Sequence, residues 1–382
     1  MLKNKNWLFS FYFTASPGIL KACIFTMLYW TLSSAKYADF VVYYSNAIIV
    51  GLVGGVGVGT IIIRNQKKTS EAIKMIILSF VISAPVFLYF IFVKNDFALE
   101  FMIVSIGVLL NQIFRFYIIS NSNLCYGGKI ELLNFLLIMP LLFMFPEDPE
   151  WSIFFAYSSN AFLLFYLTEE SEKIKSTRYI SDLTSSSVIG YTSLISSGIV
   201  FFLPQVAHDW GNENLLSTLG IVLGVVGVLS IIPRSILNSK LRKINEALSS
   251  KNISEFNLEC VFVKKVTNKV IIPSIIVLIF YVLIQARNID LGLIFFLSSM
   301  SVFIYVGQYS LVESNAVNFI GLEKLSLITN IIIFSLFLLL SKVVPSLVHD
   351  SYVGMSCLCI SCAIFYYIRM RFFNRKIGRY IS

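Results

Sequence analysis

The stretch Ser33–Gln66, SSAKYADFVVYYSNAIIVGLVGGVGVGTIIIRNQ, decides how the rest of the chain is read. Its centre is dense enough in glycine to suggest a phosphate-binding loop. A loop of the Walker type needs G-x-x-x-x-G-K-[ST], because a lysine and a hydroxyl must meet the phosphates and their magnesium. Gly54–Thr60 reads GGVGVGT and has no lysine. The dinucleotide fingerprint G-x-G-x-x-G fails as well, since Thr60 stands where the last glycine belongs. A spacing of four does fit. Gly51, Gly55 and Gly59 fall on one face of a helix, with Gly54 close to the same stripe, and let a neighbouring backbone come near. Gly220 and Gly224 repeat the device. The glycines therefore belong to a membrane-spanning helix, as a packing face that is either fixed or slides.

Composition extends that reading to the whole chain. Of its 382 residues 57% are hydrophobic and only 13% charged, with 34 Phe and 19 Tyr and a mean hydropathy of +0.80. A soluble domain carries roughly a quarter charged residues. Apolar runs near the ~20 residues that cross a bilayer recur throughout, where a barrel would show short alternating segments. The first run, Trp7–Tyr29, is long for a signal peptide, contains Pro17 and Lys21, and reads as a first span. The expected fold class is all-α: a polytopic membrane protein of about twelve transmembrane helices. They are placed at 8–30, 37–63, 72–93, 98–120, 130–146, 151–168, 186–206, 214–234, 268–286, 290–312, 325–343 and 350–369.

With the N-terminus inside, 24 of the 30 lysines and arginines fall on cytoplasmic segments, so both termini are expected in the cytoplasm. The +9 net charge is then a topology signal that also attracts anionic membrane lipids, and calls for no nucleic acid. The spacing suggests two six-helix bundles, 1–180 and 181–382. The second includes a basic cytoplasmic connection, 235–267, in which RSILNSKLRKINEALSS has the pattern of an amphipathic interfacial helix.

Charges within spans are costly and are treated as site candidates. Lys21 lies about thirteen residues into its span, roughly 20 Å along the axis, too deep for its stem to reach water easily. Arg115 follows Asn111 and Gln112 by one turn. Arg64 and Arg234 end their spans, where snorkelling is the plain alternative. Basic groups inside a span imply an anionic cargo or an ion pair, with Asp39, Glu100, Glu131 and Glu313 the available acids. Pro17 and Pro85 can kink their helices. The C-x-C-x-x-C of Cys357, Cys359 and Cys362 reads as small residues in a lipid-embedded helix rather than a metal centre. His208 and His349, each followed by aspartate, fall in expected outer loops. No nucleophile or zinc motif and no large extramembrane loop supports an enzyme, and no cofactor is expected.

The order of several motifs resembles the bacterial polysaccharide flippases. Leu32-Ser33 and Tyr37-Ala38-Asp39-Phe40 match the family's short outer loop, with Ala38 where glycine is usual. Gly57, Gly59 and Arg64 match the close of its second span. FFLPQVAHDWGNENLLSTLGIVLGVVGVLSIIPRSI is similar to its seventh and eighth spans, without a clear match to the family's aspartate. Gly321, Lys324 and Asn330 match the entry to its eleventh. The resemblance implies a multi-pass protein of the bacterial inner membrane. Two bundles related by pseudo-two-fold symmetry would pass undecaprenyl-pyrophosphate-linked oligosaccharide from leaflet to leaflet by alternating access. A coupling ion and polysaccharide assembly proteins are expected partners. The motif match carries Arg64 as a substrate-binding residue; Lys21, Arg115 and Arg234 are added from membrane depth and cationic charge. The alternatives are a multidrug exporter of related fold, which would favour acidic groups, and a membrane O-antigen polymerase.

Overall fold

The structure is a computed structural model that describes residues 5–64, 71–93, 97–120, 124–166, 179–229, 231–285 and 289–381. Every described element is helical. Among the described residues eight helices are long and apolar enough to cross a membrane, or nine if one bent pair is a single span. The protein is therefore an all-α polytopic membrane protein. The chain divides into two compact units, Met1–His208 and Asp209–Ser382.

The first unit begins with α1 (Lys5–Thr31) and α2 (Ser34–Val50), joined at Ser33, whose hydroxyl caps α2 by accepting from the Lys36 N–H. A single π turn, Gly51–Val56, follows, and α3 (Gly57–Arg64) continues the same apolar stretch. Then come α4 (Ala72–Phe92), α5 (Ala98–Ser120), α6 (Leu124–Met144) and α7 (Pro149–Tyr166). The stretch expected as a seventh span is broken at Gly198 into α8 (Tyr179–Ser197) and α9 (Ile199–Asp209), bent by 56°. The break follows Ser196 and Ser197 in sequence, a Ser-Ser-Gly run of the kind at which helices kink. His208 accordingly sits in the last turn of α9 rather than in a loop, 6.0 Å from the Phe97 ring between centroids.

Glycine sets the packing around the π turn. Side chains on Gly51, Gly55 and Gly59 would run into Val108, Gln112 and Phe116, which are themselves four apart on α5. The stripe of glycines thus receives a ridge of α5. The opposite edge meets other helices at backbone distance. A Cβ on Gly54 would come within 2.6 Å of the Ser79 carbonyl of α4, and one on Gly57 within 2.5 Å of the Ser186 carbonyl of α8. Gly51→Ala asks only a Val108 methyl to move, whereas Gly57→Ala drives into backbone. Gly57→Ala should lower the thermal midpoint in detergent by several times more than Gly51→Ala, on the scale of about 1–3 kcal/mol for overpacking.

The second unit holds α10 (Glu213–Leu229), α11 (Ile231–Ser249), α12 (Ile253–Gln285), α13 (Leu291–Tyr309), α14 (Leu311–Phe319), α15 (Glu323–Leu347) and α16 (Ser351–Ile381). Gly220 and Gly224 are buried on α10. The expected basic connection is not a loop: α11 and the first turns of α12 form a helical hairpin, turning at Lys251, which takes a left-handed backbone (φ 53°). The apolar face of α11 does not lie on lipid. Leu237, Ile244, Ala247 and Leu248 enter a core with Phe256 and Val263 of α12, Val312 and Ala316 of α14, and Phe373 and Ile377 of α16. The amphipathic pattern was real, but protein covers the face that the sequence assigned to the membrane surface.

Candidate functional site

The most buried cation among the described residues of the first unit is Lys21. It is only 7% exposed. Its ammonium lies 4.3 Å from the centre of the Phe201 ring on α9 and 5.5 Å from that of Phe25, one turn on along α1. Among the described residues no carboxylate lies within ion-pair distance of it. Two aromatic faces are a weak substitute for water, worth about 2 kcal/mol when desolvated. Three N–H donors thus remain for an acceptor that the described residues do not supply. Phe201 is held in place from its own helix: one turn further, Gln205 accepts from the Asn46 side chain of α2 at 3.0 Å. Asn46 Oδ1 and the Ser45 hydroxyl are buried beside this contact without a hydrogen-bond partner. The bend at Gly198 gives α9 the course along which Phe201 and Gln205 face α1 and α2.

Arg115 is arranged differently. Its guanidinium is ion-paired with Glu131 of α6. It also donates to the Ser16 hydroxyl at 3.0 Å and the Phe13 carbonyl at 2.6 Å, and stacks 4.3 Å over the Phe13 ring. Of the two meanings a buried cation can have, anionic cargo or ion pair, the geometry here is that of a pair. Nearby lies a polar layer in which the Asn160 amide donates to Asn111 at 2.7 Å and the Ser159 hydroxyl to Asn134 at 3.3 Å. Arg64 closes α3 and Arg234 lies in the first turn of α11, but their side chains are outside the described residues.

The second unit contains a buried cluster that the sequence reading passed over. Arg369 of α16, 4% exposed, donates to Asn330 of α15 at 2.5 Å and to the Ser310 hydroxyl at 3.5 Å, over the Tyr366 ring. Lys264 of α12 pairs with Glu313 of α14 and lies 4.7 Å over Tyr309. Both cations were counted as membrane-flanking charge. The available clue was Tyr366, Arg369 and Phe373 at helical spacing, which gives the guanidinium aromatic neighbours on its own helix. Asn330→Leu removes the shortest acceptor of Arg369 and should lower the thermal midpoint by an amount corresponding to about 1–3 kcal/mol. A midpoint within 1 °C of the parent, roughly the noise of such a scan, would show that Arg369 does not depend on Asn330. Of the three cysteines read as small residues of a lipid-embedded helix, Cys359 and Cys362 are buried, Cys359 with its Sγ 3.7 Å from Met300 Sδ. Among the described residues no group of three His, Cys, Asp or Glu side chains could hold a metal.

No protein-family model and no curated protein sequence matches the chain. Solved structures do. An outward-facing multidrug resistance MATE family transporter of the MOP superfamily aligns over 97% of this chain and 96% of its own, with a TM-score of 0.61 at 13% identity. An inward-facing structure described in the same terms aligns over 98% and 94%, also at 0.61 and 13%. A MOP superfamily transporter from Pyrococcus furiosus aligns over 97% and 96%, at 0.56 and 14%. It is described as having a binding pocket of reversed polarity that suggests a different function. The fold is that of the MATE-type transporters of the MOP superfamily.

Proposed function

We propose that the protein is a non-enzymatic secondary transporter that works by alternating access and takes an anionic cargo. The observation that carries this reading is Lys21: a buried ammonium with no carboxylate partner among the described residues, set among aromatic side chains where α1, α2 and α9 meet. The fold supports transport, because chains of this fold are described in both outward- and inward-facing forms. The finer reading is a flippase for undecaprenyl-pyrophosphate-linked oligosaccharide. Twelve spans in two six-helix bundles would have both termini in the cytoplasm of a bacterial inner membrane. The motif order in Leu32–Arg64 and Gly321–Asn330 supports it. Pyrophosphate would supply the acceptor that the described residues do not give Lys21, and the lipid tail stays in the bilayer while the sugars cross. Arg64 and Arg234, at the ends of their helices, are suited to drawing the pyrophosphate from the headgroup layer.

Multidrug export is the second reading, and the descriptions of the outward- and inward-facing relatives favour it. It calls for acidic groups facing an organic cation, whereas Glu131, 1% exposed, is paired with Arg115 and Lys21 has no carboxylate within ion-pair distance among the described residues; the reversed polarity described for the Pyrococcus furiosus transporter is a precedent within the fold. One experiment separates the two. Purified protein is reconstituted into vesicles, which are given either a fluorescent pyrophosphate-linked glycolipid or ethidium, with and without proton and sodium gradients. Translocation of the glycolipid with no ethidium movement is the expected result. Ethidium efflux with no glycolipid movement overturns it in favour of the exporter.

A further inference from the structure

Proline at position 17 has no N–H, so the carbonyl four residues earlier loses its helical partner. That carbonyl belongs to Phe13. It lies in a dry place: Phe13, Ser16 and Glu131 are each 1% exposed. A buried carbonyl without a donor is costly, and the chain supplies two. The Ser16 hydroxyl donates to it at 3.1 Å, and the Arg115 guanidinium at 2.6 Å. Arg115 also donates to the oxygen of Ser16, so both substitutes pass through one side chain.

Glu131 completes the arrangement. It neutralises Arg115 from α6, and α6 is itself locked against α1. A side chain on Gly128 would meet the backbone of Phe9, and one on Gly127 the Phe13 ring at 2.7 Å. The pair thus fixes three helices at the level of the proline, one turn before Lys21. A cation held this way has its donors committed to the Phe13 carbonyl, Ser16 and Glu131, and has none of the freedom of Lys21.

We propose that Arg115 is a positioning residue. With Glu131 behind it, it supplies the hydrogen bond that Pro17 withholds from Phe13, and so fixes the course of α1 that carries Lys21 to Phe201. The stability consequence stands on geometry alone; the transport consequence rests on the reading of Lys21 as the cargo-binding group. Pro17, Arg115 and Glu131 were singled out from the sequence separately, and the carbonyl between them is what joins their roles.

The test is a cycle between two replacements. Removing the pair together, Arg115→Met with Glu131→Met, leaves no orphaned charge. Pro17→Ala restores an N–H for the Phe13 carbonyl. In the Pro17 background, removing the pair should lower the thermal midpoint in detergent by roughly 5 °C or more and cut anion translocation at least about tenfold. In the Pro17→Ala background the same replacement should cost less than half as much in both measurements. Failure to fold in the first background with folding in the second supports the proposal equally. Equal losses of stability in both backgrounds, or failure to fold in both, overturn it. Stability coupling with no change in translocation in either background upholds the hydrogen bond and overturns the cargo role of Lys21, so the two failures are distinguishable.

Discussion

Lys21→Met is expected to abolish translocation of a pyrophosphate-linked cargo while leaving the protein at least as heat-stable as its parent. The two halves of this result have one cause. An ammonium taken out of water costs several kcal/mol even after relaxation. The Phe25 and Phe201 faces, at 5.5 and 4.3 Å, return about 2 kcal/mol. Methionine fills nearly the same volume without charge, and its sulfur makes favourable contacts with aromatic rings. The folded protein therefore gains by the exchange. The cargo loses a charge-assisted contact in a dry setting, worth about 3 kcal/mol or more, which is a rate loss of roughly a hundredfold. Vesicle translocation and a detergent melting scan on one preparation measure both halves. Translocation within twofold of the parent would remove Lys21 from the mechanism. A fall in the melting midpoint of 5 °C or so would make the ammonium a structural group instead.

Gly190→Val should be among the most damaging single changes in the first unit. A Cβ at Gly190 points at the Val53 carbonyl in the π turn, and one at Gly57 lies within 2.5 Å of the Ser186 carbonyl and 3.1 Å of Gly190 Cα. The two chains touch backbone to backbone, so no rotamer change can make room. The helices must separate, and the contacts of α8 with both the π turn and α3 go with them. The expected cost is about 3 kcal/mol or more, read as loss of a monodisperse peak in detergent or a drop in midpoint of roughly 10 °C. Gly307→Ala is the control. Its Cβ would meet only Tyr366 atoms at 3.8 and 3.9 Å, ordinary contact distances, and it should be nearly neutral. Comparable losses for the two substitutions would mean that glycine content, not the crossing, sets stability.

The elements were legible where hydropathy alone decides them. Each of the twelve apolar stretches is helical over most of its described length, because in lipid the backbone must satisfy itself. Breaks were harder to read. The π turn at Gly51–Val56 lies inside uniformly apolar sequence, where one glycine among several carries no distinguishing mark, and the bend at Gly198 directly follows two serines in a stretch read as one continuous span. The amphipathic helix within residues 235–267 was legible, but not what covers it: its apolar face packs on α12, α14 and α16. Among the charges, depth along a helix identified Lys21 as buried, but it could not tell a free cation from a paired one. Arg115 and Glu131 are 16 residues apart on different helices, and only the packing of α5 on α6 brings them together. Arg369 failed the depth criterion altogether. It stands at the end of its apolar run, yet α15 and Ser310 enclose it.

The π turn has a mechanical consequence. Such a turn holds one residue more than α geometry allows. Shedding it would rotate the rest of the helix by about 100° and draw it along by about 1.5 Å. Gly59 would then turn away from Phe116, and Gly57 would leave the Ser186 carbonyl. Helix α3 can thus occupy only discrete angular settings, and the one observed here is clamped from two sides by the absence of side chains.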